Sequence, residues 1–262
     1  MKKLLLTLFI ITFIASCSRV AVTGRRQMTW FPESALQSMA LTQYQTFIKE
    51  NKVITTGKDA EMVNRVGQKI SKAVNDYMTK KGAGKEIANY KWEYKLVESK
   101  DVNAWCMPGG KIVVYSGLLP TTLNEAGLAA VMGHEIAHAI AKHGNERMTQ
   151  GAIAQGIALT GDVLLSNSPQ SRNLFGQAFG IGGGMGLMAF SRKHETEADV
   201  LGMRFMAMAG YHPSEAIEVW KRMSKLGGAK PPELLSTHPS NETRIANLTK
   251  ELKTAMIYYR PN

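Results

Sequence analysis

The sequence is poor in cysteine, since its 262 residues include only Cys17 and Cys106. A chain of this length buries enough apolar surface to fold without disulfides. The scarcity therefore excludes a small disulfide-stapled scaffold, although it does not exclude export. Cys17 has another predicted use, described next, so Cys106 has no predicted partner. We expect Cys106 to be a small buried residue, as free cysteines usually are.

The N-terminus lacks an apolar run long enough to cross a membrane. Residues 4–14 are mainly apolar and follow two lysines, but a membrane-spanning helix takes about 20 residues. Small residues and then Cys17 come next, an order typical of a secretory signal and similar to the lipobox of bacterial lipoproteins. We predict a signal peptide at residues 1–16 and a lipid on Cys17. The alternative is an ordinary signal peptide with an incidental cysteine.

A second apolar stretch, residues 149–190, also falls short of a membrane span. Five of its glycines lie between residues 180 and 186, and each disfavours a helix by about 1 kcal/mol relative to alanine. We interpret the stretch as a mobile lid or a packed connector. The glycine spacing does not fit a dinucleotide-binding fingerprint, and no predicted strand precedes it.

Runs of like charge are absent as well. The formal net charge is +11, and it falls to about +9 once Lys2 and Lys3 leave with the signal peptide. The basic residues are scattered, so we expect no nucleic-acid partner. The excess is compatible with solubility or with a weak attraction to anionic lipid headgroups.

The periodicity of the remaining chain predicts an α+β fold. Helical spacing covers residues 33–49 and 59–80, and strand-like segments follow at residues 90–97, 102–107 and 111–115. The last two segments are joined by Pro-Gly-Gly, which indicates a hairpin turn. Everything after residue 122 reads as helix. We expect a mostly helical body with a small antiparallel sheet, in which residues 17–32 form a linker and residues 33–262 one domain.

The helix predicted after residue 122 begins with an apparent capping box, Thr122 to Glu125. It contains His134, Glu135 and His138, the pattern HExxH. Residues four apart share a helix face, so both imidazoles can reach one metal ion while Glu135 lies beside them as a general base. The alternative, two solvent-facing histidines, is disfavoured because the motif is rare by chance and lies in a predicted amphipathic helix, where the mechanism requires it.

A catalytic zinc needs a further protein ligand. His143 comes one residue too early in the sequence for this role, and its side chain would point away from the ligand face. We expect it to lie at the C-terminal end of the helix, where it interacts favourably with the helix dipole. Glu195 and Asp199 lie four apart on a later predicted helix. One carboxylate can bind zinc while the other accepts the free N–H of a ligand histidine. His194 would project about 100° away from the Glu195 face.

The order of these motifs resembles one family. HExxH is followed by Ser-Arg, by ExxAD, and by Thr-His-Pro with an arginine six residues after the histidine, over roughly residues 95–250. This order is similar to that of gluzincin zinc metallopeptidases of the HtpX and CAAX prenyl protease type, and within them to exported lipoproteins such as BepA and LoiP.

The resemblance implies one zinc ion per chain, with His134, His138 and Glu195 as ligands and Glu135 as the general base. It also implies that Asp199 accepts the free N–H of a ligand histidine. It also brings His238 and Arg244 near the metal as candidate catalytic residues, and one of the two is expected to stabilise the oxyanion. The late histidine of such proteins either contacts zinc in a resting state or stabilises the oxyanion, and the sequence leaves both roles open.

The predicted function is that of a zinc metalloendopeptidase. Its substrates would be misfolded or envelope polypeptides, bound by strand addition at residues 102–107. The lipid on Cys17 would hold it at the bacterial envelope facing the periplasm, and Ser18 favours the outer membrane. The alternative is a chaperone or assembly factor of the envelope with a latent or inactive zinc site.

Overall fold

A computed structural model of the chain describes residues 17–158, 160–165, 168–179, 190–226, 233–238 and 242–261. The predicted signal peptide and the glycine cluster at residues 180–186 lie outside these ranges. The described helices and strands follow the predicted α+β pattern, with helix predominating.

Within the described residues, six strands form two sheets: β1 (Cys17–Arg19), β2 (Arg26–Met28), β3 (Val53–Ile54), β4 (Glu93–Val97), β5 (Ala104–Met107) and β6 (Lys111–Tyr115). β1 and β2 make an antiparallel N-terminal hairpin. The other four strands form one sheet in the order β3-β4-β6-β5. β5 therefore lies at an edge of this sheet.

The predicted hairpin of β5 and β6 is confirmed, and its turn explains the Pro-Gly-Gly sequence. Gly109 and Gly110 have φ angles of 88° and 84°, which residues with a Cβ rarely adopt. A Cβ on Gly110 would also meet the Trp92 ring at 2.8 Å.

The sheet differs from the prediction in one pairing, because β4 runs parallel to β6. The four-stranded sheet is therefore mixed, whereas an antiparallel sheet was expected. The tight turn at residues 108–110 fixes only the β5–β6 pair. The partner of β4 is a long-range contact that an alternating sequence pattern does not specify.

The described helices are α1 (Glu33–Glu50), α2 (Lys58–Lys80), α3 (Leu119–Thr122), α4 (Glu125–Ile140), α5 (His143–Ala154), α6 (Gly161–Leu165), α7 (Pro169–Phe179), α8 (Arg192–Met208), α9 (Ser214–Lys225), α10 (Glu233–Thr237) and α11 (Glu242–Met256). Within the described ranges, no helix combines the length and hydropathy that a membrane span requires.

The start of α4 corrects the predicted capping box. The N-cap is Asn124, whose side-chain oxygen accepts the backbone N–H of Gly127 at 2.8 Å. Thr122 instead ends α3, and its hydroxyl donates to the carbonyl of Leu119. Asparagine caps a helix as well as threonine does. Asn124 has the extended backbone of an N-cap residue and directly precedes Glu125, the first residue of α4.

The helix that carries HExxH lies at the centre of the fold. α4 is buried over nearly its whole length and packs most extensively against α8. Gly133 and Gly202 make this contact a backbone-to-backbone approach, since a Cβ on Gly202 would meet the His134 nitrogen at 2.8 Å. The close crossing brings the carboxylates of α8 to the histidines of α4.

Candidate metal centre

Four side chains from three parts of the chain converge beside α4. His134 and His138 come from α4, Glu195 from the first turn of α8, and His238 follows α10 directly. One nitrogen or oxygen of each lies within 4.8 Å of the corresponding atom of every other. All four residues are buried. We refer to them as the four-donor set.

The distances within the four-donor set fit a tetrahedral metal ion. His134 Nε2 lies 3.0 Å from His138 Nε2 and 3.3 Å from His238 Nδ1. Glu195 Oε1 lies 2.9 Å from His238 Nδ1 and 3.3 Å from His138 Nε2. A tetrahedral zinc ion with bonds of about 2.0–2.1 Å separates its ligand atoms by about 3.3 Å. Three imidazoles and one carboxylate are also ligands that zinc accepts.

The protonation of the two α4 histidines suits metal binding. Burial lowers the pKa of both His134 and His138 well below the ordinary value. Both imidazoles are therefore neutral at physiological pH and each has a lone pair to offer. Although burial acts in the opposite direction, nearby His238 and Arg244 hold the pKa of Glu195 well below its usual range, so the carboxylate is ionised.

Asp199 lies behind His134, as the spacing on α8 predicts. Its Oδ1 is 3.0 Å from His134 Nδ1, the ring nitrogen that faces away from the four-donor set. Burial raises the pKa of Asp199 to about 6, against the opposing effect of Arg244. The carboxylate is still mainly ionised at neutral pH, so it accepts the His134 N–H and directs the other nitrogen toward the metal position.

Arg244 lies against the two carboxylates of α8. Its Nε and Nη2 are each 2.7 Å from Asp199, and its Nη1 is 2.8 Å from Glu195 Oε2. The guanidinium carbon also lies 3.4 Å from the ring centroid of Trp220. Arg244 is not among the described residues that line the cavity beside Glu135. These contacts favour a role in holding Glu195 and Asp199 over the predicted oxyanion role.

Glu135 stands next to the four-donor set without belonging to it. It lines a cavity together with His138 and His238. Among the described residues, Oε1 of Glu135 has no hydrogen-bond partner although it is buried. Burial raises the pKa of this carboxyl to about 7. A buried carboxyl group that lines a cavity and has a pKa of about 7 can take up and release a proton near neutral pH.

His238 occupies a position between the metal site and the base. Its Nδ1 belongs to the four-donor set, whereas its Nε2 lies 3.8 Å from Glu135 Oε1. Burial opposes protonation, but the carboxylates of Glu195 and Glu135 outweigh it and raise the pKa of His238. The geometry suits a fourth ligand, and the contact with Glu135 also leaves it within reach of a reacting group.

The wall of the cavity includes the edge strand of the mixed sheet. Trp105 and Cys106 of β5 line it, and Phe190 borders it near His138. Cys106 is half-buried and is a free cysteine. It is not a plain core residue, because it faces the same cavity as Glu135. Burial raises the pKa of its thiol well above the ordinary value.

The sequence interpretation missed His143. It was expected at the end of the HExxH helix, but α4 ends at Ile140 and His143 begins α5 after Lys142, whose φ is 58°. Its Nδ1 lies 2.9 Å from Nδ1 of His138. Gly144 was the available signal for a break, since glycine disfavours a continuing helix.

Comparison with known proteins agrees with this site. The family model described as peptidase family M48 matches residues 64–252, a segment that includes the whole four-donor set. A mitochondrial metalloendopeptidase OMA1 of Schizosaccharomyces pombe is 36% identical over 173 residues, which cover 65% of this chain and 50% of the relative. The protein of that name from Arabidopsis thaliana is 34% identical over 227 residues, or 81% of this chain and 44% of the relative.

A bacterial protein is similar over a comparable segment. The β-barrel assembly-enhancing protease of Escherichia coli K12 is 27% identical over 162 residues, which cover 60% of this chain and 33% of the relative. The chain thus spans half or less of the length of these curated relatives.

Proposed function

This chain belongs to peptidase family M48, and from that membership we propose that it is a zinc-dependent metalloendopeptidase that works from a lipid anchor. The observation that carries the proposal is the convergence of four buried donor atoms next to the buried carboxyl of Glu135, whose Oε1 has no hydrogen-bond partner among the described residues. Metal-assisted hydrolysis needs both features in one place.

Each residue of the site has a distinct role in the proposed hydrolysis. The four-donor set, or three of its members, would hold a zinc ion, which when bound would supply the Lewis acidity for activating water and polarising a carbonyl. Glu135 lines the cavity, where its carboxylate can accept a proton from water and pass it to the leaving amine. Asp199 and Arg244 keep the ligands His134 and Glu195 in position.

Polypeptides are the proposed substrates, and β5 is their proposed binding strand. Its outer edge has no neighbouring strand in the described sheet, and Trp105 and Cys106 line the cavity next to Glu135. An extended peptide can pair with such an edge through main-chain hydrogen bonds. The scissile bond would then lie along the cavity, within reach of the base.

His238 supports a latent resting state. A zinc ion with four protein ligands has no ready position for water. Movement of His238 away from the other three ligands would open that position, so we infer that its displacement activates the enzyme. The glycine cluster that would serve as a hinge lies outside the described residues.

The location at the bacterial envelope remains part of the proposal. It is supported by the signal-like residues 1–16 and by Cys17 directly after them. The name of the E. coli relative, a β-barrel assembly-enhancing protease, is compatible with misfolded or envelope polypeptides as substrates. The other two relatives are named as mitochondrial metalloendopeptidases.

A zinc-binding assembly factor without turnover is the second candidate, and the closed geometry of four donors is the observation in its favour. Zinc analysis combined with casein cleavage separates the two. We expect about one zinc per chain, cleavage that a chelator abolishes, and recovery on adding zinc. Bound zinc without any cleavage, even after His238→Ala, would favour the assembly factor. A chain that binds no zinc would overturn both.

A further inference from the structure

In His134 and His138, the two histidines of α4, the ring nitrogen Nδ1 faces away from the four-donor set. A different kind of group contacts this nitrogen in each histidine. Nδ1 of His134 meets the carboxylate of Asp199. Nδ1 of His138 instead meets another imidazole, with 2.9 Å between it and Nδ1 of His143. An imidazole can replace a carboxylate in this position only if its Nδ1 carries no proton, because it must accept the hydrogen bond.

Glu197 supplies the reason that this nitrogen is free of a proton. Its Oε2 lies 2.9 Å from Nε2 of His143, and an ionised carboxylate only accepts hydrogen bonds. The Nε2–H of His143 therefore donates to Glu197, which leaves Nδ1 of the neutral ring as an acceptor. His138 then donates its Nδ1–H to His143, and its Nε2 lone pair faces the four-donor set.

The N-terminal hairpin (residues 17–28) holds Glu197 in turn. Nε of Arg25 lies 2.5 Å from Glu197 Oε2, and the Thr23 hydroxyl donates to Glu197 Oε1. Arg25 also reaches Glu146 on α5, with 2.8 Å between its Nη2 and Glu146 Oε2. The guanidinium of Arg25 therefore links the hairpin to both α8 and α5. These contacts lie on the side of His138 that faces away from the four-donor set.

We propose that His143 and Glu197 form a positioning relay for the ligand His138, and that Arg25 completes this relay from the N-terminal hairpin. The inference rests on the proposed metal centre, since it assigns these residues an effect on metal affinity. It also gives the hairpin, whose first residue is Cys17, a structural connection to the metal ligands.

The relay predicts a metal-binding defect that an ordinary packing role would not produce. Groups behind metal ligands typically contribute about 10–100-fold to metal affinity. His143→Leu keeps much of the buried volume and removes the acceptor. His143→Asn has less volume but places an amide oxygen near the position of the lost Nδ1. Leucine should therefore weaken zinc binding by about 10–100-fold, whereas asparagine should restore affinity to within about threefold of wild type.

The measurement uses the purified full chain. Zinc affinity is obtained by competition with a chromophoric chelator, and the Co²⁺ absorption spectrum reports the geometry of the ligands. The melting temperature of the metal-free protein shows whether each variant is folded. If His143→Leu does not fold, Glu197→Ala tests the same relay, because it removes the acceptor of the His143 N–H.

Arg25→Ala tests the contribution of the hairpin, and Arg204→Ala is its matched control. Both arginines are partly exposed, with side-chain exposures of 24% and 21%. Arg25→Ala removes ion pairs to Glu197 and Glu146, and Arg204→Ala removes the ion pair to Glu251. Arg25→Ala should weaken zinc binding by about 3–10-fold, less than the loss of a group that contacts the ligand itself. Arg204→Ala should leave zinc affinity unchanged.

The outcomes separate the relay from the metal centre. Zinc affinity and a Co²⁺ spectrum equal to wild type in His143→Leu, or in Glu197→Ala if that variant is needed, would overturn the relay alone. Equal losses in the leucine and asparagine variants would also overturn it, because the acceptor would then have no special role. Equal effects of Arg25→Ala and Arg204→Ala would remove the hairpin from the relay. A wild-type chain without bound zinc would overturn the metal centre itself.

Discussion

Nδ1 of His134 lies 3.0 Å from Oδ1 of Asp199, across the contact between α4 and α8. The two residues meet because Gly133 and Gly202 allow the helix backbones to touch. The position of a candidate metal ligand thus depends on two glycines that have no side chains of their own.

Gly202→Ala should therefore damage both stability and metal binding. The new Cβ would meet backbone atoms of His134 and Gly133 at 2.8–3.0 Å, and backbone cannot move aside as a flexible side chain can. We expect a loss of about 1–3 kcal/mol in the free energy of unfolding, typical of overpacking, together with weaker zinc retention. Gly176→Ala in α7 is the control, because a Cβ there meets nothing within 4 Å. Equal urea-unfolding curves for the two variants would contradict the close approach.

Glu135→Gln should keep the metal and lose hydrolysis. Glutamine has nearly the same shape but cannot take the proton, so turnover should fall by about 10²–10⁴-fold, the usual contribution of a general base. Zinc content and casein cleavage are measured together. Glu218→Gln on the exposed face of α9 is the control and should cleave normally. A fully active Glu135→Gln variant would rule out the proposed base.

His238→Ala distinguishes a brake from an oxyanion stabiliser. If the fourth donor blocks the site, as the distances within the four-donor set favour, hydrolysis should rise and zinc retention should weaken. If His238 mainly stabilises the oxyanion, turnover should instead fall by about 10²–10³-fold. Turnover and zinc content of one preparation decide between them. No change in either would remove His238 from the site.

Cys17→Ala should release the protein from the membrane fraction, because the variant lacks the thiol that is predicted to carry the lipid. Fractionation after high-salt washing measures this, since washing removes proteins that are held only by charge. Cys106→Ala keeps the predicted lipid site and should remain in the membrane fraction. A Cys17→Ala protein that still fractionates as an integral membrane protein would contradict the anchor.

Glu146 should make stability depend on pH in the acid range. Burial raises its pKa, but hydrogen bonds from His194 and Arg25 outweigh burial and lower it from 4.5 to about 2. Since the folded pKa is the lower one, the stabilisation is complete above about pH 4.5 and is lost as pH falls toward 2. The difference in unfolding free energy between wild type and Glu146→Gln should shrink over that window. For Glu218→Gln, which removes an exposed ion pair, the difference should stay near zero throughout.

The sequence by itself determined those parts of the site that lie within one turn of a helix. His134 and His138 share a face because they are four residues apart, and the same spacing places Glu195 and Asp199 together on α8. The glycines after Pro108 likewise fixed the turn between β5 and β6. Local geometry repeats with the helix and turn periods, so these relationships can be read from spacing alone.

Only the tertiary structure decided the contacts between distant segments. The parallel pairing of β4 with β6, the placement of Arg244 behind Glu195, and the contact of His143 with both His138 and Glu197 are of this kind. Each depends on where a helix ends or on how closely two elements pack, as at Gly133 and Gly202. Residue spacing does not contain these quantities, because the packing of side chains and backbone across the whole core fixes them.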